Sequence, residues 1–434
     1  MTSIKTISIA ASKSYLQRAI AISALAKGSS ELRQVTWCND SKVAKKIAED
    51  LGNTIIEKDG VLSISNEGLR FKNTSFTAGE AGLSIRMFSP IFALYQQTII
   101  FEGKGSLKMR PMNIVVEALV QLGVKVEMEN GFLPLKITGP INAGEIEIDG
   151  SLSSQLLTGL LIALPLAGDD SIIKVKNLKS KPYIDMTLSI MEQFGITVEH
   201  DNYKIFRIKG NQKYKATAYN VEGDWSGGAF FLVYGAVKNE IIINNLDYNS
   251  KQADKAIIKA LELAGAKVSI LEKGIKVEKD QLKAFSFDAT DCPDLFPPLV
   301  CLASQCEGTS KIKGVSRLIH KESNRAEVLK QEFAKMGVEI TLDNDEMYIV
   351  GSTPKACTID SHNDHRIAMA GGIMNLFCDG EIKIKNKESI NKSYPDFFKD
   401  LENILNGKED CYNWSRKFRE SYCRWIINFG SSKS

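Results

Sequence analysis

Three cationic side chains stand near the first turns of helices that are otherwise apolar. Lys13 and Arg18 lie at the start of "ASKSYLQRAIAISALA" (residues 11–26), and Arg366 lies in "NDHRIAMA". The first turn of a helix exposes unpaired N–H groups and the positive end of the helix dipole, so it attracts anions. Buried cations there cost free energy unless an anion or a carboxylate compensates them. The pattern predicts binding of phosphate or carboxylate groups.

Other helix starts and loops carry similar side chains. Taken singly, an Arg within a helix more often pairs with a carboxylate, and a Ser at a helix start is usually an N-cap. The joint pattern is what indicates a site. Its further members are Ser14, Gly82, Ser84, Arg86, Ser153, Ser154, Gln155 and His365 at helix starts, and Arg110, Lys181, Lys321, Arg325 and Lys392 in loops.

Candidate acid and base groups are fewer. Asp294 follows Pro293 at a helix start, and Glu322 lies between Lys321 and Arg325 in "KESNR". Asp294 is either a base or a plain N-cap, and Glu322 is either an acid or an ion-pair partner. His365 is either an acid/base group or a hydrogen-bonded core residue.

The helices that position these groups recur about every 70 residues. The apolar helices begin near Ser14, Ser84, Ser154, Ser226, Asp294 and Asp364. A second series of amphipathic helices ends at glycines that suit the left-handed C-cap position, namely Gly52, Gly123, Gly195, Gly265, Gly337 and Gly407. Alternating segments after these glycines, such as 124–137 and 338–350, predict strand pairs.

Each unit is therefore predicted to contain a buried helix, a strand, an amphipathic helix and a hairpin. A helix that is apolar on all sides needs cover from several neighbours, so the units must pack their first helices together. The sequence predicts an α/β protein of six units, three in each of two lobes, with a boundary near residues 220–228.

Composition excludes several classes of protein. The chain has 434 residues, 44% of them hydrophobic, and a net charge of +3, so no bulk field favours nucleic acid. The eight cysteines form neither a CxxC pair nor a metal-ligand cluster, which favours reduced thiols. No signal peptide and no membrane span are predicted. We expect a cytoplasmic protein without a metal ion.

Ten motifs in order make the chain resemble the enolpyruvyl transferase family, and within it the branch that acts on shikimate 3-phosphate. The likeness runs from about residue 8 to 405. The motifs are "SKSYLQRA", "AGLSIR", "MRPM", "SSQLLTGLL", "SKPYIDMT", "VEGDWS", "PDLFPP", "HKESNRA", "NDHRIAMA" and "KSYPDFF".

The resemblance implies a two-lobed inside-out α/β barrel of six βαβαββ units. It places residues 13–222 in the first lobe, 1–12 and 223–407 in the second, and 408–434 in a C-terminal tail of unknown role. It also implies a monomer that binds only small-molecule substrates, needs no cofactor, and belongs to aromatic amino acid biosynthesis as the target of glyphosate.

The resemblance also assigns residues to two substrates. Shikimate 3-phosphate would be held by Lys13, Ser14, Arg18, Ser153, Ser154, Gln155, Ser180, Tyr183, Asp294 and Lys321. Phosphoenolpyruvate would be held by Lys13, Gly82, Arg110, Gln155, Arg325, Arg366 and Lys392. Lys13, Asp294 and Glu322 would be catalytic, in an addition–elimination that moves the enolpyruvyl group to the 5-hydroxyl of shikimate 3-phosphate and releases phosphate.

The sequence departs from the usual family pattern at several positions. Gln17 and Arg317 both stand where Asn is usual, Leu83 replaces Thr, and Met87 replaces Pro. Gly82 favours sensitivity to glyphosate, whereas Leu83 and Met87 alter the wall behind it.

Two other functions compete with this prediction. A transferase acting on UDP-N-acetylglucosamine would carry a catalytic Cys in the loop before its "RP" motif, and "KGSLKMRPM" has none. A repeat scaffold that binds proteins would carry hydrophobic or charged surface stripes rather than cations at buried helix starts.

Overall fold

A computed structural model describes residues 4–68, 70–319 and 321–405, and the predicted tail at 408–434 lies outside this part. The first half of the chain contains β1 (Lys5–Ser8), α1 (Lys13–Leu25), β2 (Gly28–Arg33), α2 (Asn39–Asp50), β3 (Thr54–Lys58), β4 (Val61–Asn66), β5 (Ser75–Thr77), α3 (Gly82–Phe92), β6 (Thr98–Glu102), α4 (Asn113–Gln121), β7 (Lys125–Glu129), β8 (Phe132–Thr138), β9 (Glu145–Asp149), α5 (Gln155–Ala163), β10 (Ser171–Lys176), α6 (Lys181–Gln193), β11 (Glu199–Asp201), β12 (Ile205–Ile208) and β13 (Ala218–Asn220).

The second half repeats this pattern. It contains α7 (Trp225–Val237), β14 (Ile241–Asn244), α8 (Ile257–Ala264), β15 (Lys267–Leu271), β16 (Gly274–Glu278), β17 (Ser286–Asp288), α9 (Phe296–Ala303), β18 (Thr309–Lys313), α10 (Arg325–Lys335), β19 (Ile340–Asp343), β20 (Glu346–Val350), β21 (Cys357–Asp360), α11 (His365–Phe377), β22 (Ile382–Lys385) and α12 (Phe397–Leu405).

Five small four-stranded sheets share one plan. In the second unit, β5 runs parallel to β6, β6 pairs antiparallel with β8, and β7 closes the hairpin, which gives the order β5-β6-β8-β7. A parallel pair needs a crossover, and α3 supplies it. Within the described residues the sixth unit contributes only the pair β21–β22.

Two units take their first strand from a distant part of the chain. β1 pairs in parallel with β14, with Lys5 opposite Ile241, and so completes the sheet of the fourth unit. β13 pairs in parallel with β2 and completes the sheet of the first unit. The chain therefore passes between the two halves of the molecule twice, after β1 and again after β13.

Two hydrophobic cores lie behind these sheets. One contains buried residues from Ala11 to Val221, and the other joins Ile7 and Ile9 to residues from Trp225 onward. Each core is centred on helices that are buried on nearly every side, which is the cover their apolar sequences require. This distribution supports the predicted division of the chain at residues 13 and 222, which stays a prediction.

The glycines at the ends of the second helices adopt the predicted backbone. Gly52, Gly123, Gly195, Gly265 and Gly337 all have φ between +77° and +105°, the left-handed region that a glycine enters at little cost. Gly407 lies outside the described residues. The predicted strand pairs at 124–137 and 338–350 are present as β7–β8 and β19–β20.

A different glycine sets the spacing of two buried helices. A Cβ atom on Gly159 of α5 would lie 2.6 Å from the Arg86 carbonyl oxygen and 2.7 Å from that of Met87, both in α3. Only glycine permits this approach, which brings the start of α5 beside the start of α3. None of the helices in the described ranges is long and apolar enough to cross a membrane.

Candidate functional site

A polar cavity lies between the lobes, at the starts of the buried helices. Its lining includes every residue that the resemblance assigns to a substrate or to catalysis except Arg325 and Lys392. Ser84 and Lys181, which the sequence pattern also indicated, do not line it: Ser84 accepts from Gln17, and Lys181 begins α6. The lining residues are Lys13, Ser14, Gln17, Arg18, Asp40, Gly82, Leu83, Arg86, Arg110, Pro111, Ile114, Leu152, Ser153, Ser154, Gln155, Ser180, Tyr183, Asp294, Ser316, Arg317, Lys321, Glu322, His365 and Arg366.

Arg18 is a buried cation with only neutral partners. Its guanidinium donates to the Thr187 hydroxyl at 2.9 Å and to the Ser14 carbonyl at 2.8 Å, and more weakly to Thr158 and Tyr183. No carboxylate pairs with it in the described ranges, and burial lowers the pKa of Arg18 to about 10. The side chain is still charged at neutral pH, so an anion from outside the protein would stabilise it.

Arg86 and Arg110 form a second underpaired cluster around Gly82. Arg86 donates to the Gln155 side chain at 3.0 Å, and burial, followed by the charge of Arg110, lowers the pKa of Arg86 to about 10. Arg110 has a single long ion pair, 3.5 Å to Glu322, and its Nε and Nη2 atoms donate no hydrogen bond in the described structure. A Cβ atom on Gly82 would lie within 2.9 Å of both guanidinium groups, so glycine keeps the corner open.

Asp294 lies on the second-lobe side of the cavity, among three cations. Its carboxylate meets Arg325 and Arg366 at 3.0 Å and Lys321 at 3.4 Å. Burial alone would raise the pKa of Asp294, but Arg366, Lys321 and Arg325 hold it well below the usual range. The alternative that Asp294 is a plain N-cap is wrong, since α9 begins at Phe296 and the carboxylate faces these cations.

Glu322 lies between two guanidinium groups, 2.7 Å from Arg325 and 3.5 Å from Arg110. Burial alone would raise the pKa of Glu322, but these charges hold it well below the usual range. Arg325 is fully buried behind Glu322, Asp294 and Asp364, which explains why it does not line the cavity. Glu322 is therefore ionised in this arrangement.

Lys13 begins α1, whose N-cap is Ser12. The Lys13 ammonium donates to Asp40 at 3.1 Å. Burial alone would lower the pKa of Lys13, but the charge of Asp40 raises it above the ordinary value. Lys13 is a protonated donor facing the cavity.

His365 lies near Lys13, and neither of its ring nitrogens is hydrogen-bonded in the described structure. Burial, followed by the charge of Lys13, holds the pKa of His365 well below the usual range.

Hydroxyl and amide groups line the part of the cavity near Arg18. Ser153 accepts from the Gln155 backbone N–H at 3.1 Å. Ser180 has φ of +58°, and its backbone N–H donates to Asp291 of the second lobe at 2.7 Å. Tyr183 contributes its carbonyl to Arg18. The hydroxyl groups of Ser153, Ser154 and Tyr183 also line the cavity and can donate to a phosphate.

Lys392, like Arg325, is a predicted substrate residue that is ion-paired and does not line the cavity. Its ammonium donates to Glu80 of the first lobe at 2.8 Å and to the Asn363 carbonyl at 2.6 Å. Two ion pairs therefore join the lobes at the site: Lys392 with Glu80, and Arg110 with Glu322.

Sequence reasoning missed Asp40 and Asp254. Asp40 pairs with Lys13, and its signal was an acidic residue in the first turn of α2. Asp254 is buried and accepts a short hydrogen bond from Ser226, and its Oδ1 atom has no hydrogen-bond partner among the residues that the structure describes. Burial, then the charge of Asp294, raises the pKa of Asp254 to about 7. No local pattern revealed it.

The structure shows where the residues that depart from the family pattern lie and what they contact. Gln17 donates to Ser84 at 3.0 Å and to the Asp40 carbonyl at 3.1 Å, which joins α1 to α3 and α2. Leu83 lines the cavity, whereas Met87 is fully buried beside α5. Arg317 donates to the Ser180 hydroxyl and to two carbonyls of the other lobe. Across the described ranges, no group of three or more His, Cys, Asp or Glu side chains could hold a metal ion.

Known proteins are similar to this chain in sequence and in fold. The family model for EPSP synthase (3-phosphoshikimate 1-carboxyvinyltransferase) matches residues 4–401. A 3-phosphoshikimate 1-carboxyvinyltransferase of Clostridium novyi is 37% identical over 410 residues, which cover 92% of this chain and 94% of that protein. The protein of the same name from Clostridium acetobutylicum is 37% identical over 416 residues, or 94% and 96% of the two chains.

A solved structure of EPSP synthase from Acinetobacter baumannii superposes with a TM-score of 0.80 at 24% identity, covering 93% of this chain and 96% of that one. This likeness concerns the fold, and it confirms the predicted two-lobed inside-out α/β arrangement. With the family model spanning nearly the whole described chain and relatives at 37% identity, the chain belongs to the EPSP synthase family.

Proposed function

We propose that this chain transfers the enolpyruvyl group of phosphoenolpyruvate to the 5-hydroxyl of shikimate 3-phosphate. The observation that best supports this function is a set of three buried guanidinium groups on the first-lobe side of the cavity whose charge is not fully compensated. They belong to Arg18, Arg86 and Arg110. Two anionic substrates would compensate them, since charge-assisted hydrogen bonds to phosphate and carboxylate are the strongest that arginine makes. The family membership supports the same reaction.

The two substrates would occupy different corners. Shikimate 3-phosphate would place its phosphate against Ser153, Ser154 and Ser180 near Arg18, with its 5-hydroxyl toward Asp294. Phosphoenolpyruvate would lie against Arg110 in the opening that Gly82 leaves. Arg366 and Arg325 would provide charge from the second lobe. The remaining predicted contacts are Lys13, Ser14, Gln155, Tyr183, Lys321 and Lys392.

Chemistry would begin at the methylene carbon of phosphoenolpyruvate. A protonated group, for which Lys13 is the best placed, gives this carbon a proton, and C2 becomes electrophilic. The 5-hydroxyl oxygen bonds to C2 as its proton passes to Asp294, which is ionised and therefore has an unprotonated oxygen to receive it. Loss of a methyl proton and cleavage of the C2–O bond to phosphate complete the elimination.

The protonation state of Glu322 would depend on whether a substrate is bound. In the described arrangement Arg110 and Arg325 keep it ionised, so it is prepared to accept a proton rather than to give one. An anionic substrate that binds the same guanidinium groups opposes that ionisation and raises the pKa of Glu322. We therefore assign Glu322 the proton that is removed from the methyl group during elimination.

Phosphate release from phosphoenolpyruvate tests the proposal. The purified chain is supplied with either shikimate 3-phosphate or UDP-N-acetylglucosamine as the acceptor. We expect release with shikimate 3-phosphate alone. Release with the sugar nucleotide would favour the sister transferase, and release with neither, together with no heat on titration of shikimate 3-phosphate, would favour a scaffold without activity.

We further place the protein in the cytoplasm as a monomer. Six cysteines lie in the described ranges, and all six are free thiols, which suits a reducing compartment. Light scattering after gel filtration checks the monomer, and a mass near twice 48.0 kDa would contradict it.

A further inference from the structure

A carboxylate that the reaction does not use lies close to Gly82 in the sequence, although it does not itself line the cavity. Glu80 precedes Gly82 by two residues and projects from the first lobe toward the second. Its Oε2 atom accepts from the Lys392 ammonium at 2.8 Å and lies 3.5 Å from the Asn363 amide nitrogen. The acid thus lies where the two lobes meet.

The backbone around Glu80 makes room for this position. Gly105 has φ of +50°, and a Cβ atom added there would lie 2.5 Å from the Glu80 carboxyl carbon. Any side chain at residue 105 would therefore push the carboxylate away from Lys392. The Gly105–Met109 turn leads directly into Arg110, so the same loop holds the acid and carries a guanidinium of the site.

Lys392 has little capacity left for a ligand. An ammonium has three N–H donors, and two of those on Lys392 are used by Glu80 and by the Asn363 carbonyl at 2.6 Å. The side chain is only 10% exposed and does not line the cavity. Glu80 therefore neutralises the charge that an anionic ligand at this corner would need.

We propose that Glu80 is a specificity-determining residue that competes, as an internal carboxylate, with the anionic groups of phosphoenolpyruvate for Lys392. This inference rests on the proposed function, which assigns phosphoenolpyruvate to that corner. Glu80 lowers the affinity of the site for small anions, and the effect increases with the negative charge of the ligand because it is a charge–charge repulsion.

Two variants test this role. Glu80→Gln keeps the shape of the side chain and removes its charge, and Glu80→Ala removes the contact altogether. Both are expected to lower the KM for phosphoenolpyruvate by about five-fold, the scale of one partly solvated charge interaction, and to leave the KM for shikimate 3-phosphate unchanged. The gain shrinks as salt is added, because ions screen the repulsion.

The control is Glu145→Gln, which removes a carboxylate from an exposed ion pair with Lys174; neither residue lines the cavity, and this variant should match the unmodified protein. A KM for phosphoenolpyruvate that is equal or higher in both Glu80 variants would overturn the inference. If the unmodified chain releases no phosphate, the proposed function fails separately. Calorimetric titration of phosphoenolpyruvate then decides: tighter binding to Glu80→Gln supports the inference, and unchanged binding overturns it.

Discussion

The Arg317 guanidinium donates a hydrogen bond to the Ser180 hydroxyl at 3.1 Å and so joins the second lobe to the first. It also donates to the carbonyls of Ser151 and Leu152. These contacts border the serines that we assign to shikimate 3-phosphate. In the described ranges Arg317 has no carboxylate partner within ion-pair distance, and burial lowers its pKa. Its charge therefore remains available to a substrate phosphate.

Arg317→Ala is accordingly expected to raise the KM for shikimate 3-phosphate by about ten-fold, since hydrogen bonds to charged groups contribute about 1.5–3 kcal/mol. The KM for phosphoenolpyruvate should change less. Steady-state kinetics with each substrate varied in turn provides the measurement. Arg33→Ala, which breaks an exposed pair with Glu31, is the matched control, and an unchanged KM for shikimate 3-phosphate would contradict the assigned role.

Lys13→Met is expected to abolish turnover while the protein still folds. The ammonium is held by Asp40 at 3.1 Å and is protonated, so its removal takes away a proton donor at the cavity wall. General acid catalysis contributes about 10²- to 10⁴-fold, and a loss of kcat on that scale is expected. Circular dichroism and thermal unfolding check the fold. Near-normal turnover in this variant would remove Lys13 from the mechanism.

Arg18 should make the stability of the protein depend on phosphate ligands. Because its buried guanidinium donates only to neutral groups among the described residues, a bound phosphate supplies the missing charge. Shikimate 3-phosphate at 100 times its Kd should stabilise the unmodified protein by about 2.7 kcal/mol, seen as a higher Tm. Arg18→Met should lose most of this shift at the same ligand concentration. An equal shift in both proteins would place the phosphate elsewhere.

Asp254 should make the protein less stable as pH rises toward neutrality. Its folded pKa of about 7 exceeds the ordinary value of about 3.9, so the folded state favours the protonated form. The stability that this provides is present below pH 4 and is lost as pH rises to about 7. Asp254→Asn should therefore be the more stable protein at pH 8, by about 1–3 kcal/mol, and gain little at pH 4.

Urea unfolding at several pH values measures this difference. Asp280→Asn is the control, because Asp280 is an exposed acid paired with Lys267. The Asp254 prediction would be wrong if the free energies of unfolding of Asp254→Asn and the unmodified protein ran parallel from pH 4 to pH 8.

Much of the fold could be predicted because the repeat is recorded in local patterns. The helix-ending glycines and the apolar helices recur in the same order, and hairpins such as β7–β8 follow from alternation and turn residues. Pairing between distant strands has no such local signal. Nothing in Lys5–Ser8 indicates Ile241 as its neighbour, and the place of β1 in the second lobe came from resemblance alone.

The sequence predicted which residues form the site, but not which cations are paired with carboxylates. Cations at helix starts were visible in the sequence, whereas their division into an underpaired wall around Arg18 and a carboxylate-paired wall around Asp294 depends on tertiary contacts. Asp40 and Asp254 were missed for the same reason, since each gains its role from residues distant in the sequence, Lys13 for one and Ser226 for the other.

The exchange of β1 and β13 between the two halves has a consequence for synthesis on the ribosome. The sheet of the first unit lacks its edge strand until residues 218–220 have emerged, so the first lobe is completed only when nearly its entire sequence is available. The fourth unit instead uses residues 5–8, which emerged long before their partner at 241–244. Removal of the first dozen residues would therefore damage the lobe that is made last and leave the nearer lobe with all its strands.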